Sequence, residues 1–167
     1  MKKYSLLLPI LTIISLYGSA QTNSDKVKQS NHQKLKHGID SKQFHFIASS
    51  ANTSKGRTMQ LNGSYFLFLG GDSLTVNLPF FGTSQSSSTY GASSDDAGIN
   101  FHTNQFSYSA DTTKKGGWEI TIQPKGQPSA NKIYLSITST GNCRTSIHSS
   151  TRSAMTFNGT VLSNFKN

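Results

Sequence analysis

The chain has 167 residues, of which 34% are hydrophobic and 14% charged, with a formal net charge of +9 and a single cysteine. One cysteine excludes an intramolecular disulfide. So basic a chain raises nucleic acid as a partner, but it carries no aromatic-plus-basic motif of a nucleic-acid module and its N-terminus points to export, so none is expected.

Residues 1–20 read as a signal peptide. Lys2 and Lys3 form a positive start, residues 6–17 an apolar stretch interrupted by Pro9, and Gly18-Ser19-Ala20 the small residues of a cleavage site. The stretch is too short for a comfortable transmembrane helix. Cleavage is predicted after Ala20, leaving Gln21 first and no membrane span in the mature protein. There is no cysteine nearby for a lipid anchor. The mature chain of 147 residues (167 − 20) suits one domain, exported to the periplasm or the medium. At that size about two-thirds of the unfolded surface can be buried.

Residues 21–40 form a polar, basic leader. Val27, Leu35 and Ile39 are too sparse for more than a short helix, ending at Gly38, or coil. The leader is expected outside the core. Lys26, Lys28, Lys34, Lys36 and Lys42 make it a solvated tail or, alternatively, a segment attracted to an anionic envelope surface such as phosphorylated lipid.

From residue 43 the apolar period is two. Phe44, Phe46 and Ala48 share one face of a strand, and His45 and Ile47 the other. Further strands are predicted over 58–62, 65–69, 74–78, 98–102, 105–110, 118–123, 133–138, 142–149 and 155–162, separated by Gly, Asn and Asp turns. Residues 41–167 therefore read as a single all-β domain, an antiparallel meander. Closing the sheet into a small barrel removes its unpaired edges; a β-sandwich is the alternative. Cys143 is expected to be a buried apolar residue, with Arg144 on the opposite face.

Residues 70–82 carry the strongest apparent motif. Gly71-Asp72-Ser73-Leu74 spells the nucleophile block of the GDSL esterases. An activated serine needs a base with an orienting partner. The late Asp-x-x-His of those enzymes is missing, and Ser73 runs into the alternating Leu74-Thr75-Val76-Asn77-Leu78 instead of a helix. The favoured reading is a hairpin turn. After it come Pro79-Phe80-Phe81-Gly82 and a long polar loop, Thr83 to Gly98. Core packing is the common use of such a Phe pair. Strand alternation gives the two unequal roles, one in the core and one exposed at the barrel mouth. The candidate rim is Phe80, Phe81, Tyr90 and Arg57, around a mouth that would take a small apolar ligand.

No metal site or cofactor is expected. The five histidines form no His-x-His, and Asp95-Asp96 falls short of a calcium shell. A Gly-x-x-x-x-Gly-Lys phosphate loop is absent, as are carboxylate pairs suited to glycoside hydrolysis.

Phe44-His45-Phe46-Ile47-Ala48-Ser49-Ser50-Ala51-Asn52, Gly56-Arg57, Leu61-Asn62-Gly63-Ser64-Tyr65, Gly71-Asp72-Ser73-Leu74, Leu78-Pro79-Phe80-Phe81-Gly82 and Gly98-Ile99-Asn100-Phe101 follow in order, then Gly141, Arg152 and Gly159. Over about residues 40–160 this resembles domain-of-unknown-function family 4251, exported proteins of Bacteroidota. The resemblance implies a lipocalin-like antiparallel barrel and no activity. The family pattern places a basic residue after the Gly of Leu-Pro-aromatic-Phe-Gly; Thr83 stands there. Three functions remain in play: a non-enzymatic envelope binding module, an interaction or structural module without ligand, and, remotely, a serine esterase using Ser73. Catalytic residues are expected to be none.

Overall fold

The computed structural model describes residues 19–53, 55–81 and 98–163, with side chains from residue 26 onward. One helix, α1 (Ser19–Asp40), precedes ten strands: β1 (Gln43–Thr53), β2 (Thr58–Gln60), β3 (Phe66–Gly70), β4 (Leu74–Leu78), β5 (Ile99–Thr103), β6 (Phe106–Thr112), β7 (Trp118–Pro124), β8 (Lys132–Ile137), β9 (Asn142–His148) and β10 (Met155–Leu162). The cleavage site expected after Ala20 falls inside α1, and residues 1–18 lie outside the described residues.

The sheet runs β5-β4-β3-β1-β10-β9-β8-β7-β6, with β2 on the side of β1. Every pairing is antiparallel. Eight such steps separate β5 from β6, so these two strands run in the same direction. Only Asn104 and Gln105 join them, whereas a parallel neighbour needs a crossover of about a dozen residues or more. They are therefore successive halves of one bent strand. Its first half pairs with β4 and its second with β7. That sharing brings the two ends of the sheet together in a nearly closed barrel, with β1 and β10, the first and last strands, paired in its wall.

A bulge in β1 bends this wall. Ala48 faces Gly159 but Ser50 faces Asn158, leaving Ser49 as the extra residue. The inward set shifts accordingly, from Phe44, Phe46 and Ala48 to Ala51. Gly159 is required opposite the bulge, because a Cβ there would run into the Ile47 carbonyl and come within 2.8 Å of the Phe46 ring.

The interior is filled with side chains. Phe44, Phe46, Leu67, Leu69, Leu74, Leu78, Ile122, Ile133, Leu135 and Phe157 have no measurable exposure. Phe101, Phe106 and Tyr108 pack against this core from β5 and β6. Cys143 is buried and Arg144 exposed, as the alternation predicts.

The leader departs from expectation. It is helical through Asp40, and Leu35 and Ile39, one turn apart, are part of the core. They close one end of the barrel. The phenol of Tyr108 donates to the Ile39 carbonyl at 3.0 Å, satisfying a helix-terminal acceptor. Gly38 does not end the helix. It lies buried within it, where a Cβ would sit 2.7 Å from the Gln43 carbonyl and 2.9 Å from Ser163. Two apolar residues looked too few for a packed helix because polar neighbours dominate the sequence average. The barrel end needs only those two.

Candidate binding surfaces

Strand direction assigns every connection except the β5–β6 bend to one end of the barrel. α1 feeds β1, so the turns β3–β4, β6–β7 and β8–β9 lie at the helix end. The connections β1–β2–β3, β4–β5, β7–β8 and β9–β10 lie at the far end, the mouth.

Arg57, Phe80 and Phe81 of the expected rim all lie at the mouth end. Arg57 is exposed on the β1–β2 turn, where its amide donates to the Thr53 hydroxyl. Phe80 and Phe81 follow β4, and Pro79, between them and the strand, is buried. Phe80 is half-buried against the core, and Phe81 is 39% exposed. The pair thus has the unequal placement that alternation implies, with Phe80 the inner member. Tyr90 and most of the Thr83–Gly98 loop lie outside the described residues.

A residue not counted in the rim organises this end. Arg152, on the β9–β10 connection, lays its guanidinium over the Phe80 ring at 5.0 Å. The same side chain donates to the Gly98 carbonyl at 3.1 Å. It therefore ties the exit of β4 to the entry of β5, combining a cation–π contact with a hydrogen bond. Arg152 stands among the residues that carry the family resemblance, but its Ser/Thr-rich surroundings in the sequence point to no partner for it.

Ser73 sits in the β3–β4 turn, at the opposite end. The Gly70 amide donates to the Ser73 carbonyl at 2.9 Å, and Gly71 holds φ at 72°. This is the hairpin geometry that favours glycine. His102, on the neighbouring strand β5, hydrogen-bonds the Thr75 hydroxyl at 2.9 Å through Nδ1. Among the described residues no group of three or more His, Cys, Asp and Glu is placed to hold a metal.

Three titratable groups are displaced by burial, among them the Tyr108 phenol, which desolvation and then the nearby Asp40 carboxylate push up. The Cys143 thiol is pushed up to about 12, chiefly by desolvation, with its Sγ 3.5 Å from the Thr145 hydroxyl. On the outer wall His45 lies between the edges of Phe66 and Phe68, with ring centroids at 5.2 and 5.9 Å. Its Nε2 is buried without a hydrogen-bond partner, and desolvation lowers its pKa. The surrounding wall is partly apolar, through Ile47, Phe66, Phe68 and Leu162.

The helix end is basic. Lys26, Lys28, Lys34 and Lys36 are exposed along α1. Lys36 pairs with Asp40. His32 stacks on Trp118 at 5.1 Å and hydrogen-bonds the Gly116 carbonyl at 3.0 Å, holding the β6–β7 turn against α1. That turn adds Lys114 and Lys115, which line a groove with Glu119, Ser136, Ile137 and Thr138. A second groove, about 240 Å³, lies between Lys34 and Leu35 of α1, the β8–β9 turn and the end of β10.

The model of DUF4251, a domain of unknown function, matches residues 26–161, nearly the whole described chain. The chain belongs to the DUF4251 family. A DUF4251 family protein from Bacteroides eggerthii DSM 20697, known from its crystal structure, has a similar fold. It shares 18% identity with a TM-score of 0.59, over 80% of this chain and 87% of that one. No curated protein matches. The family match begins within α1, in keeping with a helix that belongs to the folded unit.

Proposed function

We propose that this DUF4251 protein is a non-catalytic, exported envelope module that works from its outer surface, with the barrel as scaffold. The carrying observation is the filled interior: the inward faces of β1, β3, β4, β7, β8 and β10 are aromatic and aliphatic side chains with almost no exposure. Small barrels either hold one ligand or are filled by their own side chains, and this one is of the second kind. Phe80 and Phe81 then serve as a core-packed residue and a surface residue at the mouth, rather than as a gate. Ser73 is best read as a turn residue, because its carbonyl closes the Gly70–Ser73 turn and among the described residues no histidine hydrogen-bonds its hydroxyl, as an activated serine requires. The signal-like N-terminus supports export.

A titration with a fluorescent fatty acid tests this. No saturable binding at micromolar protein is expected. Saturable one-to-one binding, lost on substitution of an interior residue such as Leu135→Arg while the variant remains folded, would overturn the filled-barrel reading. A serine-directed probe is expected to leave the protein unlabelled.

A further inference from the structure

The helix end carries more than its sequence suggested. Lys28, His32, Leu35 and Ile39 are spaced by four, three and four residues, so they share one helix stripe. The stripe is buried at Ile39 and Leu35, half-buried at His32 and exposed at Lys28. The helix therefore runs out past the barrel from about His32. From Lys28 back to Gln21, the first residue of the expected mature chain, the projecting part is about 12 Å long, at about 1.5 Å per residue. Val27 on this projection is 60% exposed, more than any other large apolar residue described, and it lies between Lys26 and Lys28.

The packed half fixes what stands beside it. Through His32 the barrel presents Lys114 and Lys115 next to α1. Lys34 and Lys36 flank Leu35, about 100° to either side of it. Within the described residues the one ion pair is Lys36 with Asp40. Lys26, Lys28, Lys34, Lys114 and Lys115 have no carboxylate partner there, and Glu119 beside the turn accepts from the Ser136 hydroxyl at 2.7 Å. A short polar helix without packing is marginal in water, and an exposed Val among lysines gains by entering an interface. Lysines near an anionic bilayer are attracted with a strength that adds up residue by residue.

We infer that the α1 projection and the β6–β7 turn together form one docking face for an anionic lipid bilayer, with Val27 at the interface and the lysines at the headgroups. This rests on the reading that the protein works from its outer surface, and it names the surface and the partner.

Flotation with phosphatidylglycerol-containing and purely phosphatidylcholine vesicles tests it, using protein purified from its own host. Two charge-reversed pairs are compared: Lys114→Glu with Lys115→Glu at the helix end, and Lys55→Glu with Lys125→Glu at the mouth. Both pairs are exposed turn residues, so folding is checked by an unchanged thermal midpoint. They change the net charge equally. Binding to the anionic vesicles alone is expected, falling at least about tenfold for the helix-end pair and little for the mouth pair. Equal losses would mean only a diffuse charge effect and overturn the docking face, as would a larger loss from the mouth pair. So would binding to neutral vesicles as strongly, or no vesicle binding at low salt. Fatty-acid uptake in the separate titration defeats the filled-barrel reading and leaves the vesicle result to stand or fall by itself.

Discussion

Replacing Ile39 by alanine removes three carbons from a side chain with no exposure, at the point where α1 closes the barrel. At about 0.8 kcal/mol per buried methylene the lost transfer energy is about 2.4 kcal/mol. A cavity term adds to this, because the rigid wall of β1 and β6 cannot collapse fully onto the gap, and such truncations cost about 2–5 kcal/mol. For a domain of this size 1 kcal/mol moves the thermal midpoint by roughly 3–4 °C, so Ile39→Ala should lower it by about 10 °C. Leu35→Ala should act in the same direction. The double variant should fall short of the sum, since the residues lie one turn apart and share neighbours. Circular dichroism melts of the three variants measure this. A shift below about 2 °C for Ile39→Ala would refute the packed helix and restore α1 to a detachable leader.

Phe80→Ala should cost about 2–3 kcal/mol, because Phe80 packs on the core beneath Arg152, and Phe81→Ala less than about 1 kcal/mol; equal losses in chemical denaturation would contradict the placement. His45 is half-buried with its Nε2 shut off from water, which favours the neutral ring, so its folded pKa lies below 6.5. The unfolded chain then takes up the proton first, and stability present above pH 6.5 is lost as pH falls from there toward the folded value. His45→Phe, which keeps an aromatic between Phe66 and Phe68, should flatten that part of the midpoint-against-pH curve; an unchanged slope between pH 7.5 and 5 would exclude the histidine as its source. Cys143 should resist alkylation at pH 8 in the native protein and react on unfolding, since its thiol is pushed up to about 12; fast native labelling would show that the barrel opens there.

Period-two alternation made the wall legible in the sequence. All ten strands lie within a few residues of their expected places, because each must send alternate side chains into a common core. The Gly70-Gly71-Asp72-Ser73 turn was legible for a similar reason: a positive φ at Gly71 is a local demand that the residue type announces. Three features depend on distant partners and left no local mark. The packing of Leu35 and Ile39 depends on a barrel end built largely from residues far along the chain. The bend at Asn104-Gln105 looks like a hairpin turn until the β4 and β7 pairings are known. Arg152 reaches Phe80 and Gly98 from more than 50 residues away. In the candidate rim, the unequal Phe pair followed from alternation, but a filled interior did not. Apolar inward residues look the same in sequence whether they line a cavity or meet at its centre.

A native mass spectrum of the protein purified from its own host bears most directly on the filled barrel. The expected spectrum shows the mass of the chain beginning at Gln21 with no small molecule retained under gentle ionisation. A stoichiometric apolar adduct, released when the protein is unfolded and absent after substitution of an inward-facing residue, would contradict it.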